Sequence, residues 1–300
     1  MGIALSAWRD LGETRTLLGR SIFVVDSGVP DADESGAPVL CLHGFPSASW
    51  DWNDIWNQVT NRHRVIAFDF LGFGFSEKPR GHRYSIAEQA DLTEALETDL
   101  ELDGFHLLAH DYGDTVAQEL LARQNSRPSP SWRSLCLLNG GLFPETHRAR
   151  LIQKLMVGPA GPLLSRLMSR RAFAKSFAAV FGPHSQPTKD QIDTLWGLLE
   201  RERGVRAVPS LLGYMAERRA NRTRWVGGLE KSCVPLALLN GSLDPVSGAH
   251  MVARFRELFG ADAARIVELP DIGHYPQLED PDTISRELLG FWSDPEQTAT

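Results

Sequence analysis

Short apolar runs alternate with helix-patterned stretches along most of this 300-residue sequence, and this alternation limits the fold more than any other feature. Runs that are apolar on both faces are typical of strands in a parallel sheet that helices cover on both sides. The sequence therefore predicts an α/β fold with a mostly parallel sheet. The predicted strands lie in "GRSIFVVDSG", "PVLCLHG", "HRVIAFDFLG", "FHLLAHDYG", "WRSLCLLNGG", "VPLALLNGSLD" and "ARIVELPDIGH".

The alternation stops after the strand that ends near Asn139. Helix-patterned pieces punctuated by Gly and Pro then run to about Trp225, and strands resume at "CVPLALLNG". We expect an α/β core formed by residues 1–141 and 231–300, with a helical cap at residues 142–230 folded over the sheet. No linker rich in Ser, Gly and Pro divides the chain, which favours one large domain with an insertion. The last residues, "SDPEQTAT", are expected to fray.

The charge balance argues against nucleic acid as a partner, because the net charge is −7 and the pI about 5.7. The charge is unevenly distributed, because residues 142–230 contain 15 Lys or Arg and 7 Asp or Glu. This region has a net charge of +8, and the rest of the chain has a net charge of −15. Solvated helix faces, an anionic membrane surface and a protein partner all remain open for this basic cap. A monomer or a homodimer is expected.

The three cysteines are predicted to be buried packing thiols in a reducing compartment, because they sit in or beside apolar runs without metal-ligand or redox spacing. They are Cys41, Cys136 and Cys233. No signal peptide and no uninterrupted apolar run long enough to span a membrane is recognisable, so a cytoplasmic location is expected. No metal site and no cofactor are expected, since no His, Cys and carboxylate cluster has ligand spacing.

Four loops that follow predicted strands carry distinctive residues, and ligands of open α/β sheets bind at these carboxyl ends. The loops are "HGFP" at residues 43–46, "HDYG" at residues 110–113, the loop with Asp244 and the loop with His274. Asp111, Asp244 and His274 follow the chain order of nucleophile, acid and histidine. Four further residues are expected to shape the site: His43, Gly44, Pro46 and His110.

Asp111 lies at a strand-to-helix turn flanked by the small residues Ala109 and Gly113. A nucleophile elbow needs such neighbours, because its backbone is strained and the strand and helix approach closely. The amino end of the following helix favours the ionised carboxylate. Asp111 is therefore predicted to be a nucleophile that needs no base to activate it, although an Asp at a helix start is usually only a cap.

His274 has a different predicted task, because a carboxylate nucleophile has no proton to give up. It is expected to activate water in a second step, with Asp244 orienting the imidazole and stabilising its protonated form. Hydrolysis of an ester on Asp111 passes through a tetrahedral oxyanion. The backbone N–H groups of Phe45 and Tyr112 are the predicted oxyanion-hole donors.

The sequence resembles the α/β-hydrolase superfamily, and within it the branch of epoxide hydrolases and haloalkane dehalogenases. The resemblance extends from about Gly19 to Trp292 and rests on "HGFPSASWDW", "DFLGFGFSEKP", "HDYGD", "GSLDPV" and "GHYPQLEDP". It implies Asp111 as the nucleophile, Asp244 as the acid and His274 as the base that activates water. Some members place the acid after the strand before the cap, where this chain has Asn139, so Asp244 is the better candidate.

Two departures from the family patterns weaken dehalogenation. Dehalogenases bind the leaving halide with a Trp directly after the nucleophile and often an Asn after the first His-Gly. Here those positions hold Tyr112 and Phe45. Trp196 and Trp225 of the cap could substitute as halide donors, although large aromatic residues in a helical cap more often belong to its core.

Three other residues bear on the reaction. Epoxide hydrolases protonate the ring oxygen with a cap tyrosine, and Tyr214 is the candidate for this role in the predicted cap. His147 could contribute, but a solvent-facing helix start is favoured. Asp114, where the superfamily usually has Gly or Ala, either caps the helix start, which is favoured, or raises the pKa of Asp111 by like-charge repulsion.

These observations predict a hydrolase that opens epoxides of small, neutral, mostly apolar molecules to vicinal diols, with water as the second substrate. Haloalkane dehalogenation with the same triad is the alternative enzymatic function. A non-catalytic ligand or partner-binding protein with this fold stays open as another class, because fold alone does not decide function.

Overall fold

A computed structural model describes residues 2–31 and 35–294 of the chain. Within these residues the strands form one eight-stranded sheet in the order β1-β2-β4-β3-β5-β6-β7-β8, in which β2 pairs antiparallel with β1 and β4 and the other neighbours are parallel. The strands are β1 (Gly12–Leu17), β2 (Arg20–Asp26), β3 (Gly36–Leu42), β4 (His63–Phe68), β5 (Phe105–His110), β6 (Trp132–Leu138), β7 (Leu236–Gly241) and β8 (Arg265–Leu269). The predicted α/β-hydrolase fold is confirmed.

The strand β1 is the one that the apolar runs did not predict. Its sequence "GETRTL" is polar because it lies at the edge of the sheet, where most of its side chains remain accessible to solvent. A two-residue turn at Leu18 and Gly19, both with positive φ (47° and 76°), joins β1 to β2. Such turns suit the twist of an antiparallel hairpin, so the pairing depends on the turn and on backbone hydrogen bonds.

The register of the central strands brings the predicted site loops together. In the pairing of β3 with β5, Leu42 lies opposite Ala109, so the "HGFP" loop begins beside Asp111. In the pairing of β5 with β6, His110 lies opposite Leu138, which places Asn139 on the other side of the nucleophile. Every residue of β5 and β7 is buried, as expected for strands with both faces covered.

The helices outside the cap region flank the sheet strands. They are α1 (Leu5–Leu11), α2 (Asn53–Thr60), α3 (Ile86–Asp99), α4 (Tyr112–Gln124), α12 (Ala249–Phe259), α13 (Pro276–Glu279) and α14 (Pro281–Trp292). The helix α3 begins at a Ser85 cap whose hydroxyl accepts the Glu88 N–H, and α14 begins at Asp280 and Pro281.

Between β6 and β7 the structure contains only helical elements and loops, within the predicted cap range of 142–230. Two stretches with a continuous helical pattern in the sequence, residues 162–181 and 208–219, are each divided into two helices. The first is divided after α6 and the second at Gly213. The helices are α5 (Leu151–Val157), α6 (Gly161–Arg166), α7 (Arg170–Ala178), α8 (Lys189–Glu200), α9 (Val208–Leu211), α10 (Tyr214–Ala220) and α11 (Arg222–Glu230), with a 3₁₀ turn at Arg201–Arg206.

The prediction that all three cysteines are buried is wrong for one of them. Cys41 and Cys136 are buried in β3 and β6, but Cys233 is exposed. It lies in the loop between α11 and β7, where its N–H donates to the Asn125 side chain, so the apolar run starts only after it. Most of the tail that was expected to fray, residues 295–300, lies outside the described residues.

Candidate active site

Asp111 occupies the turn between β5 and α4 in a strained conformation, with φ 48° and ψ −98°. Non-glycine residues rarely adopt positive φ, and such strain is typical of catalytic turns. The close approach around the turn requires small residues. A Cβ added to Gly113 would lie 2.2 Å from the Leu42 carbonyl oxygen, and one on Gly44 would lie 2.5 Å from Nδ1 of His110. The predicted elbow is therefore formed.

The two oxygens of Asp111 have different neighbours. The Phe45 N–H donates to Oδ2 at 3.0 Å, whereas Oδ1 lies 3.8 Å from Nε2 of His274, beyond hydrogen-bonding distance. Tyr112 supplies the first N–H of α4 beside the same carboxylate. Oδ2 is thus held by a backbone donor, whereas Oδ1 has no hydrogen bond to His274.

His274 and Asp244 form a buried pair in which Nδ1 of His274 lies 2.7 Å from Oδ2 of Asp244. Asp244 also accepts the Val246 N–H at 2.7 Å and the Asn139 side-chain amide at 3.2 Å. The pairing fixes the proton of the imidazole on Nδ1 in its neutral form, which leaves Nε2 facing Asp111. From the sequence, Asn139 was considered only as a position without a carboxylate. In the structure its side-chain amide orients the Asp244 carboxylate.

The charges of the pair perturb both pKa values. Burial alone would lower the pKa of His274, but the Asp244 carboxylate, its hydrogen bond and the Asp111 charge raise it to about 9. Burial alone would raise the pKa of Asp244, but His274 and the hydrogen bonds from Val246 and Asn139 lower it. At neutral pH the free site therefore contains an imidazolium between two carboxylates.

This arrangement predicts a pH dependence of stability. A histidine with a raised pKa stabilises the fold fully below its unfolded value of about 6.5, and this contribution disappears as the pH rises through about 9. The expected loss across that window is about 3 kcal/mol, at 1.36 kcal/mol per pKa unit. Urea unfolding from pH 6 to pH 10 should show this loss in the wild type and a much flatter profile in His274→Gln. Parallel profiles would contradict the assignment.

The residues expected to shape the site connect its loops through hydrogen bonds. His110 donates from Nε2 to the His274 carbonyl at 2.8 Å, which ties the end of β5 to the histidine loop. His43 donates to the Gly44 carbonyl and accepts the Phe70 N–H, so it joins the loops after β3 and β4. Phe45 and Pro46 border the cavity described next.

A cavity of about 300 Å³ separates the core from the cap, and Asp111 and His274 lie in its wall. This volume suits a small molecule, and the lining is mainly apolar. The cap contributes Arg150, Ile152, Gln153, Met156, Leu164, Leu167, Met168, Ala172, Phe173, Ser176, Phe177, Val180, Leu199, Val208 and Leu212, and the core adds Phe45, Pro46, Val246 and Tyr275. Apolar side chains thus form most of the wall around Asp111 and His274.

Tyr214 is not among the residues that line this cavity. Its ring packs edge-on against Tyr112 at 5.2 Å and beneath the guanidinium of Arg218 at 4.6 Å. Burial and the charge of Asp111 raise the pKa of its hydroxyl, which makes no hydrogen bond within residues 2–31 and 35–294. Tyr275, which sequence reasoning missed, does line the cavity, but its hydroxyl donates to the Phe45 carbonyl at 3.3 Å.

The aromatic residues considered as halide donors point elsewhere. Tyr112 packs against Phe70 and Phe73 beneath the elbow. The indole N–H of Trp225 donates to Glu119 at 2.8 Å, and Trp196 packs against Phe173. Neither cap tryptophan lines the cavity, so both have the packing role that was favoured over halide binding.

Asp114 does not cap α4, contrary to the favoured prediction. It is fully buried, and neither oxygen accepts a hydrogen bond of normal geometry from the described part of the chain. Its carboxyl points toward the loop after β6, where a Cβ on Gly140 would lie 2.0 Å from Oδ2. Burial and the nearby Asp111 charge raise the pKa of Asp114 well above its usual value, although Arg218 acts in the opposite direction.

Asp114→Asn is expected to stabilise the protein at neutral pH. A carboxyl with a raised pKa in the folded state costs stability once the pH exceeds its unfolded value, because folding then takes up a proton. The amide removes this cost, and a gain on the order of 1 kcal/mol is expected at pH 7, shrinking toward pH 4. Urea unfolding at both pH values measures it. A variant less stable than the wild type at pH 7 would show that the carboxylate has a partner.

Arg218 is a buried cation that no sequence pattern singled out. It donates to the Thr115 hydroxyl at 2.8 Å, to Nδ1 of His147 at 3.3 Å and to the Asp111 carbonyl at 3.3 Å. His147 is thus not a solvent-facing helix start, because it lies half-buried against Arg218 in the loop before α5. Burial and the Arg218 charge lower its pKa to about 3. Arg218 connects α10 of the cap to the elbow.

No group of three or more His, Cys, Asp or Glu side chains within residues 2–31 and 35–294 is arranged to hold a metal ion. The expectation that no cofactor is required stays a prediction.

Comparison with known proteins shows which protein family and which solved structures this chain is similar to. A model of the alpha/beta hydrolase family matches residues 39–287. The mesoderm-specific transcript protein of Mus musculus is 45% identical over 299 residues, covering 96% of this chain and 88% of that protein. The putative hydrolase LipZ of Mycobacterium tuberculosis is 36% identical over 288 residues, covering 96% and 97%. A loop variant of the haloalkane dehalogenase DbeA from Bradyrhizobium elkanii has a TM-score of 0.76 at 22% identity, covering 94% and 96%, which shows a shared fold.

Proposed function

Because the chain belongs to the α/β-hydrolase family, as its motifs predicted, we propose that it opens an epoxide of an apolar small molecule through an ester on Asp111. The observation that supports this proposal is that the two Asp111 oxygens have different surroundings. Oδ2 accepts the Phe45 N–H, and Oδ1 lies 3.8 Å from Nε2 of His274. A carboxylate placed in this way suits attack on a saturated carbon.

In the first step, Oδ1 of Asp111 attacks one ring carbon of the epoxide. The bond between that carbon and the ring oxygen breaks, and the oxygen takes a proton to become a hydroxyl. The product of this step is a hydroxyalkyl ester of Asp111. The apolar lining of the cavity excludes competing water and strengthens the electrostatic interactions of the buried groups.

In the second step, water adds to the carboxyl carbon of Asp111 while His274 takes its proton. The oxyanion forms on Oδ2, where the Phe45 and Tyr112 N–H groups stabilise it. Its collapse releases the diol, whose new oxygen comes from Oδ1. Ester formation removes the Asp111 charge, which is one cause of the raised pKa of His274, and so favours the neutral imidazole that this step needs.

Haloalkane dehalogenation is the second candidate, because it uses the same triad and because DbeA shares the fold. The cavity lining favours the epoxide. No Trp or Asn side chain lines the cavity in the described part of the chain, whereas a leaving halide needs such N–H donors. An epoxide retains its oxygen in the product and needs one proton donor instead.

We assign that donor role to Tyr214. Its hydroxyl makes no hydrogen bond to a described residue, and the Asp111 charge contributes to its raised pKa, whereas the Tyr275 hydroxyl already donates to the Phe45 carbonyl. This assignment requires the oxygen of the bound epoxide to lie on the Tyr112 side of Asp111.

Tyr214→Phe is therefore expected to slow epoxide opening by about 100-fold, the lower end of general-acid effects. Tyr275→Phe, the matched control, should slow it by less than about 10-fold. Rates of diol formation with a panel of aliphatic and aryl epoxides, run beside matching haloalkanes, measure both effects. A larger loss in Tyr275→Phe would move the role to Tyr275, and turnover of haloalkanes alone would reject the epoxide proposal.

A further inference from the structure

We propose that the cap surface around the mouth of the cavity docks on an anionic phospholipid surface. We call this surface the docking face and define it by five exposed apolar residues of α5 and of α6 with its C-terminal cap, which are Leu151, Ile152, Leu155, Leu163 and Leu167. The proposal concerns binding, so it stands or falls independently of the reaction proposed for Asp111.

The docking face is unusually apolar for a solvent-exposed surface. Leu151 is 73% exposed, Leu155 47%, Leu163 62% and Leu167 70%. Each helix presents its two leucines four residues apart, so the pair lies on one side of that helix. Contiguous exposed apolar side chains of this kind mark a binding surface rather than ordinary protein surface.

The cavity opens on the docking face. Ile152 and Leu167 line the cavity and are nevertheless 41% and 70% exposed, so they lie at its rim. On the same helices, Met156 and Leu164 point into the cavity, and α5 and α6 pack together. An apolar molecule could therefore pass from a lipid phase into the cavity between these helices without crossing water.

The charge around the docking face suits an anionic partner. From Thr146 to Lys189 the sequence contains eight Lys or Arg and no Asp or Glu, in a chain whose net charge is −7. Five of these cations are exposed and form no ion pair with a residue that the structure describes. They are Arg148, Lys154, Arg166, Arg171 and Lys175.

A second cavity, of about 380 Å³, lies beside α6 and is strongly basic. Arg166 and Pro162 of α6 line it together with Arg80, Arg203 and Arg206, and Glu202 is the one carboxylate in its lining. None of the four arginines has a carboxylate partner in residues 2–31 or 35–294. Guanidinium groups bind phosphate well, so this cavity suits a lipid phosphate next to the inserted leucines.

Apolar side chains combined with unpaired cations favour a lipid surface over a second copy of this acidic chain. Interfacial binding elements combine an apolar face with Lys and Arg in this way. No helix in residues 2–31 and 35–294 has the length and apolar character needed to cross a bilayer. The proposed contact is therefore peripheral.

Flotation of the full-length protein with lipid vesicles tests the proposal. Binding is expected to vesicles containing 30 mol% phosphatidylglycerol in phosphatidylcholine, to be at least about 10-fold weaker with pure phosphatidylcholine, and to fall by about 10-fold between 50 and 500 mM salt. Free inorganic phosphate at 10 mM should not compete at constant ionic strength. Absence of binding to the anionic vesicles would overturn the proposal.

Two sets of variants separate the apolar and basic contributions. Leu151→Ser, Leu155→Ser and Leu163→Ser combined should weaken vesicle binding by at least about 10-fold, and Arg166→Gln with Arg203→Gln by a similar factor. The matched controls are Leu11→Ser with Leu18→Ser, which are 53% and 67% exposed on the core, and Arg62→Gln with Arg286→Gln. Equal losses in the control variants would overturn the proposal.

Two further measurements complete the test. Asp111→Asn should bind vesicles as the wild type does, which separates docking from catalysis. Sedimentation of the wild type and of the triple serine variant examines the alternative occupant of the docking face. A wild-type dimer that the serine substitutions dissociate would overturn the proposal, because a second copy would then cover the face.

Discussion

The variant His274→Gln is expected to form the Asp111 ester and to retain it. The Phe45 N–H holds the Asp111 side chain, and a carboxylate nucleophile needs no imidazole to attack the substrate. Hydrolysis of the ester does need a base for water, and loss of such a base typically slows a step by about 10²–10⁴-fold. Intact-protein mass spectrometry after incubation with epoxides should therefore show a stable adduct.

The added mass identifies the leaving chemistry. An epoxide adds its whole mass, whereas a haloalkane adds its mass less HX. Peptide mapping should place the adduct on Asp111, and the double variant His274→Gln, Asp111→Asn should carry none. If neither panel labels a folded His274→Gln protein, both enzymatic proposals fail and the non-catalytic class becomes the better interpretation.

Arg218→Met is expected to cause the largest loss of stability among single substitutions near the site. The guanidinium is buried, and it satisfies the Thr115 hydroxyl, His147 and the Asp111 carbonyl. Removing one partner of a buried charged network typically costs about 3–5 kcal/mol. Urea unfolding at pH 7 should show a loss of about 3 kcal/mol or more.

Arg222→Met is the matched control for this experiment. Arg222 lies four residues further along the chain and pairs with Glu145 at the surface, where ion pairs contribute about 1 kcal/mol or less. Arg218→Lys should not restore full stability, because an ammonium cannot reproduce a planar guanidinium with three separate acceptors. Similar losses in Arg218→Met and Arg222→Met would show that the buried network contributes little.

The sequence predicted the sheet and the triad because both depend on local patterns. Apolar runs mark buried strands wherever both faces are covered, and a turn with Ala109 and Gly113 around Asp111 is recognisable without coordinates. Chain order and family motifs then selected Asp244 and His274 from many carboxylates and nine histidines. The structure brings these three side chains together as predicted.

Contacts between segments distant in the sequence could not be predicted. Arg218 looks like any helix arginine until the cap is folded onto α4, and Asn139 gains its role only when β6 and β7 pair. The same limit explains the errors on His147 and Asp114. Each is polar and sits near a loop or helix start, yet both are covered by residues far away in the chain.

The position of Tyr214 shows a different limit. An amphipathic segment predicts that a tyrosine faces inward, but it does not say which of two buried surroundings the ring enters. Here the Tyr214 ring packs against Tyr112 and Arg218 beside the elbow, and Tyr275 is the tyrosine that lines the cavity. Tyr275 could have been considered from sequence, because it directly follows His274.

A single turnover in ¹⁸O-labelled water tests most directly whether the reaction passes through an ester on Asp111. With enzyme in excess over an epoxide substrate, the first diol should contain no label, because its new oxygen comes from the Asp111 carboxylate. The peptide that contains Asp111 should gain one ¹⁸O. A labelled diol in the first turnover, with an unlabelled Asp111 peptide, would mean that water attacks the substrate directly and would contradict the covalent mechanism.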